Sequence, residues 1–211
     1  AIMPGRFIMQ CGLGGLSEQS AGMGVDMSQR VAMFEDSLTI MRQLWAGETV
    51  NHDRFWGLKN ARIAPLAAQD IEVWIGATAP AAINRTARLA EGWLGTPSST
   101  PQQAKEQLNQ YRQACAEHQR KPSAVALRRD IFIGASVRQA EEFRSHAVAK
   151  GYRGFPEDAL TCGDISQVAT QFAELFEAGF TDIIVRNMAS DQGQALATIE
   201  ALSDVKRQLR L

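Results

Sequence analysis

Apolar residues follow two alternating rhythms along this chain. Short, nearly continuous apolar runs have the pattern of strands covered on both faces. They fall at Arg6–Gly12, Ile71–Ile75, Glu91–Gly95, Leu127–Ala135 and Thr181–Arg186. Between them lie longer stretches with apolar residues at every third or fourth position, the pattern of a helix with one buried face. Ser28–Ala46 carries Val31, Phe34, Leu38, Met41 and Trp45 in that spacing, with Ser28 as N-cap and Gly47 as stop. Ala81–Ala90, Pro101–Gln119, Val137–Lys150, Ile165–Ala178 and Asp191–Leu211 repeat the pattern, and Gly179 ends the fifth of these six. Glu48–Leu66 reads as a hairpin. Ser17–Asp26 and Gly151–Gly163 read as irregular.

Strands alternating with helices predict an α/β fold with a parallel sheet, in one domain over residues 1–211. The predicted strands are fewer than the eight of a complete (β/α)8 barrel. The pattern is therefore an open sheet or a barrel lacking three strand–helix units.

Ligands bind such folds beyond the carboxyl ends of the strands, which singles out two turns. Gly76, Ala77, Thr78 and Ala79 are small and lead into Pro80, a residue suited to the first helical turn. Free N–H groups and the positive dipole end there suit a phosphate. The second turn, Gly95–Thr100, offers Ser98, Ser99 and Thr100, hydroxyls that serve equally as caps for the following helix. Arg186 stands at the carboxyl end of the last strand, where a guanidinium suits a phosphate or carboxylate. Arg128, Arg129 and Asp130 fall at the start of their predicted strand, a structural position. Tyr152, Arg153 and Phe155 sit in the long irregular segment, a candidate lid.

Composition narrows the function. The 211 residues carry a net charge of -1, which gives no footprint for nucleic acid or an anionic membrane. No run approaches the roughly 18 apolar residues of a membrane span, and no signal-peptide pattern opens the chain. Three widely spaced cysteines, Cys11, Cys115 and Cys162, have no metal-ligand spacing and fit reduced thiols in a cytoplasmic protein.

Four segments in order, GRFIMQCGLGG, RVAMFEDSLTIMRQLWAG, IEVWIGATAPAAINRTARLAEGWLG and GFTDIIVRN, resemble the bacterial luciferase-like superfamily. That group contains flavin-dependent monooxygenases and deazaflavin (coenzyme F-420) oxidoreductases. The resemblance implies a TIM-type (β/α)8 barrel, with Arg6–Gly12 as its fourth strand and Thr181–Arg186 as its eighth. The first three strand–helix units then have no counterpart in this chain.

It also implies flavin mononucleotide (FMN) as cofactor, oxygen as co-substrate and a small organic molecule as substrate, with a homodimer as the assembly. A deazaflavin hydride-transfer enzyme and a non-catalytic, truncated flavin-binding barrel are the alternatives. Cofactor contacts carry over to Gly12, Gly76, Ala77, Thr78 and Ala79, with Ser98 and Arg186 beside them. Luciferase proper has an arginine near Leu13, where this sequence departs. The family's active-site histidine belongs to the absent early strands, so the catalytic acid or base is not assigned. His52, His118 and His146 read as surface residues, and no metal is implied.

Overall fold

A computed structural model of the protein describes residues 7–14, 17–23 and 25–209. The chain forms two compact units, Ala1–Val73 and Trp74–Leu211. Arg6 and Gly15, at the edges of the first predicted strand and its glycine-rich turn, lie outside the described residues.

The first unit holds β1 (Ile8–Cys11), α1 (Ser17–Gly22), a 3-10 turn at Met27–Gln29, α2 (Arg30–Trp45), and the antiparallel strands β2 (Val50–His52) and β3 (Leu58–Ala61). Two expectations are corrected. Ser17–Asp26 contains α1 rather than an unbroken loop. Ser28 is not the cap of the long helix: Asp26 caps the 3-10 turn by accepting the Ser28 N–H at 2.8 Å, and α2 starts two residues later. Asp26 takes the cap because it lies in extended backbone just before the turn, with its carboxylate within reach of the Ser28 N–H. Gly47 does stop α2, with φ at +82°.

The second unit is an α/β fold on a parallel sheet. Its elements are β4 (Glu72–Gly76, which begins at the end of the first unit), α3 (Pro80–Leu89), β5 (Gly92–Gly95), α4 (Pro101–Glu117), β6 (Ala124–Ile133), α5 (Val137–Ala149), β7 (Leu160–Gly163), α6 (Ile165–Ala178), β8 (Asp182–Asn187) and α7 (Gln192–Leu209). β4 pairs with β5 and β5 with β6. β6 then takes both β7 and β8 in parallel register.

The register fixes their sides. β5 lies against Ala124–Leu127 and β7 against Asp130–Ile133, whereas β8 spans Ala126–Ile131 and overlaps both. A strand has two edges, so β5 and β7 share one and β8 holds the other. The strand β7, in the segment expected to be irregular, is therefore a short side-piece. Among the described residues β8 pairs along one edge, and its Ile184 and Val185 are more than a third exposed.

β6 begins three residues earlier than its apolar run suggested. Ala124–Ala126 are small but buried, so the strand gains its first turn from packing that hydropathy underrates. Arg128, Arg129 and Asp130 consequently sit at the middle of the strand, not at its start.

The core forms where alternate β6 side chains meet the helices. Val125, Leu127, Ile131 and Ile133 pack with Ile83, Leu108, Tyr111, Val168, Phe172 and Val205. Trp93 is fully buried and stacks on Tyr111 and Phe180. Gly92 is required beside it: a Cβ there would come within 2.6 Å of the Trp74 ring. Leu196 and Ile199 of α7 are exposed, while Val205 near its end is buried.

Candidate functional site

The turn after β4 is held from within. The Trp93 indole N–H donates to the Ala77 carbonyl at 2.9 Å, and the Ala77 N–H donates to the Leu94 carbonyl at 3.3 Å. Ala77 is buried, and Thr78, Ala79 and Pro80 are exposed. Ala79 takes the N-cap position of α3 in extended backbone and offers no side-chain cap, and Pro80 follows. Pro80 has no N–H and the Ala82 N–H donates to the Ala79 carbonyl, so the helix begins with small side chains and the uncapped Ala81 N–H, an arrangement that accepts an anion.

The second turn is closed. Thr100 caps α4 through a full capping box: its Oγ1 accepts the Gln103 N–H and the Gln103 side chain accepts the Thr100 N–H. Thr96 and Ser98 bond to each other at 3.1 Å. Ser99 is buried, its hydroxyl donating to Gln107 and its carbonyl accepting from Arg129. Ser98 remains half-buried at the loop's surface. Ser136, Asp164 and Asp191 likewise accept N–H groups at the starts of α5, α6 and α7, so α3 is the uncapped one in this unit.

A polar cluster joins the carboxyl halves of β6 and β8. Asp130 is fully buried. It accepts two N–H groups of Arg128 at 3.1 and 2.9 Å and the Tyr152 hydroxyl at 2.9 Å. Arg186 lies opposite Asp130 in the β6–β8 register and is exposed. Burial, the hydrogen bond to Asp130 and its negative charge push the Tyr152 phenol up to about 12, against the opposing pull of Arg186 and Arg128. Tyr152 therefore stays a proton-bearing donor at neutral pH.

Arg128 and Asp130, expected to be purely structural, and Tyr152, expected in a lid, thus meet in one cluster with Arg186 opposite Asp130 in register. The Arg-x-Asp alternation, which puts both side chains on one strand face, was the available signal. The lid expectation is modified: Tyr152 is tied to Asp130, and Phe155 packs on the cluster formed by Phe132, Leu160 and Cys162.

Gly12 follows β1 in the first unit, exposed, with Gly14 at φ +69°. In the same unit His52 is not a surface residue: it pairs with Asp36 at 3.1 Å and lies against Phe55 and Trp56. His118 is half-buried beside Asn84, and His146 is exposed. Burial raises the thiol pKa of Cys11, Cys115 and Cys162, the last to about 11, so none is an activated nucleophile. Among the described residues no group of three or more His, Cys, Asp or Glu could hold a metal ion. No described helix is long and apolar enough to cross a membrane.

The sequence model of the family described as luciferase-like monooxygenase matches residues 1–179. The chain is 32% identical over 110 residues to an F420-dependent glucose-6-phosphate dehydrogenase of Microbacterium testaceum, covering 51% of this chain and 33% of that protein. The chain thus matches about a third of that relative's length. Its fold is similar to an F420-dependent secondary alcohol dehydrogenase in complex with an F420-acetone adduct, with a TM-score of 0.77 at 14% identity over 100% of this chain and 72% of the other. It is similar again to the oxygenating constituent of 3,6-diketocamphane monooxygenase from Pseudomonas putida in complex with FMN, with a TM-score of 0.68 at 17% identity over 93% and 69%.

Proposed function

The chain belongs to the luciferase-like monooxygenase family, and on that premise we propose that it is an oxidoreductase that binds FMN and uses oxygen on a small organic substrate. The observation that carries the cofactor reading is the open N-terminus of α3. Small residues from Gly76 to Ala79 leave room, the helix offers the uncapped Ala81 N–H at its positive end, and no acidic residue stands in its first turn. A phosphate fits that donor set. Ser98, half-buried in the loop after β5, is a lesser candidate contact, and Gly12 is the candidate in the first unit.

When bound, the flavin supplies the electron-transfer chemistry with oxygen. The chain's own residues do the rest. The α3 N-terminus orients the phosphate. Asp130 fixes Arg128 and Tyr152 in place, so that Tyr152 Oη holds its proton and the Arg128 and Arg186 guanidiniums offer positive charge to an electron-rich substrate oxygen.

A second reading, hydride transfer with a deazaflavin, is favoured by the F420-dependent relatives. Against it, Gly95–Pro101 contains no Lys or Arg to meet that cofactor's longer acidic tail. A third, a non-catalytic flavin-binding barrel, draws on the open edge of β8. There the barrel would be completed either by the three strand–helix units without counterpart in this chain or by a second copy in a homodimer.

Titrating the protein with FMN and with the deazaflavin, following fluorescence, separates these readings. Tighter FMN binding that weakens about tenfold in Ala79→Asp is the expected result. Tighter deazaflavin binding selects the second reading, and flavin binding without turnover selects the third.

A further inference from the structure

Arg129 faces the opposite side of β6 from Arg128 and Asp130, toward α4 and α6. It is only 2% exposed. One terminal N–H donates to the Ser99 carbonyl at 2.6 Å, while Nη2 is buried with no partner. Burial lowers its pKa to about 10, which still leaves it protonated at neutral pH. A buried guanidinium with an unanswered donor is costly, and an anion or a strong acceptor relieves it.

Arg129 lines a cavity of about 40 Å³, together with Lys105, Thr161, Gln171, Asp158 and Glu174. The cavity shares Pro101, Asp158 and Gln171 with a wider groove of about 550 Å³, which adds Arg144 and Glu157. Arg144 donates from Nη2 to the Cys162 carbonyl at 2.8 Å, and its Nε is also buried without a partner. Arg129 and Arg144 thus line adjoining parts of one recess, each with one buried N–H that has no partner, and Arg144 Nη1 stands 3.7 Å from Glu141. Two exposed carboxylates, Glu157 and Asp158, line its outer part.

We propose that this recess binds a zwitterionic small molecule of the amino-acid class, its carboxylate against Arg129 and its ammonium group against Asp158. The planar carboxylate matches the guanidinium fork. The inner cavity holds a few water volumes, enough for one carboxylate-sized group. The acidic residues select against a phosphate dianion and for a ligand whose outer part is cationic. The recess lies on the helix side of the sheet and is independent of the cofactor reading.

The test is calorimetric titration of the protein with glycine, acetate and inorganic phosphate, with FMN binding read on the same samples. Glycine is expected to bind at least about tenfold more tightly than acetate, phosphate more weakly than either, and FMN affinity to stay unchanged. Arg129→Met should abolish glycine binding and Arg129→Lys should keep part of it. Should Arg129→Met fail to fold, the exposed Asp158→Asn carries the test: glycine affinity should drop to that of acetate, with acetate unchanged. Glycine binding that survives Arg129→Met, glycine affinity untouched by Asp158→Asn, tighter binding of phosphate, or no binding of glycine would each overturn the proposal.

Discussion

The turns after β4 and β5 are built from similar parts and end in opposite states. Each follows a strand that ends in glycine, each runs through small or hydroxylated residues, and each leads into a helix with proline in its first turn. After β5, Thr100 and Gln103 satisfy each other's N–H groups, and Ser99 is buried under Arg129 and Gln107. After β4, the Ala79 side chain can cap nothing, and the Ala81 N–H of the first turn is left without a side-chain cap. The difference is one hydroxyl at the N-cap. The same local design becomes a finished structural joint in one place and an available anion site in the other.

The largest expected effect comes from loosening the β4 turn from below. Trp93→Phe keeps the stacked ring but strands the buried Ala77 carbonyl, at a cost of about 2 kcal/mol. Urea denaturation reads this, and an unchanged midpoint would mean that the indole bond does not position the turn. Next, Ala79→Asp gives α3 the cap it lacks. Stability should rise by about 1 kcal/mol while FMN affinity falls about tenfold, or about 1.4 kcal/mol. Fluorescence titration checks the second half, and retained affinity would remove the turn from the site.

Thr100→Ala sharpens the contrast from the other side. It should lower stability by about 1 kcal/mol without changing FMN affinity. If it weakened FMN as much as Ala79→Asp does, the two turns would have to exchange roles.

A separate effect, confined to high pH, is read by alkaline titration of the polar cluster. The Tyr152 phenol is raised from its ordinary value near 10 to about 12, so the folded state keeps a proton that the unfolded state loses. Stability should therefore fall as pH rises from 10 toward 12, and part of that fall should vanish in Tyr152→Phe. Phenolate absorbance across the same range should show the delay directly.

The helices and the parallel strands were legible because each buries a face that leaves a period in the sequence. α6 is the clearest case: the apolar period predicts Ile165–Ala178 with Gly179 as its stop, and the structure gives those bounds, with Gly179 left-handed and Asp164 added as the cap. The short β7 was not legible. Its four residues carry no period, and it is a strand only because Asp130–Ile133 of β6 offers a free stretch of edge. The α3 turn could be proposed from its small residues, but its openness could not, since the β5 turn looks equally suitable on paper. The Arg128–Asp130–Tyr152 cluster was passed over because the apolar run placed its arginine and aspartate at a strand start, and Tyr152 reaches Asp130 across 22 positions of chain.

What the sequence determined by itself is local: periodicity, caps and stops, the α/β class, and the ordered segments that resemble a family. Those depend on neighbours within a turn or two, which the sequence states outright. What only the tertiary structure decided is which polar groups end without a partner. α3 stays open while α4 is closed, and Arg129 is buried with an unanswered N–H while Arg128, one residue away, is paired with Asp130. Hydrogen-bond satisfaction in the interior is settled by residues far apart in the chain, so no local pattern records it.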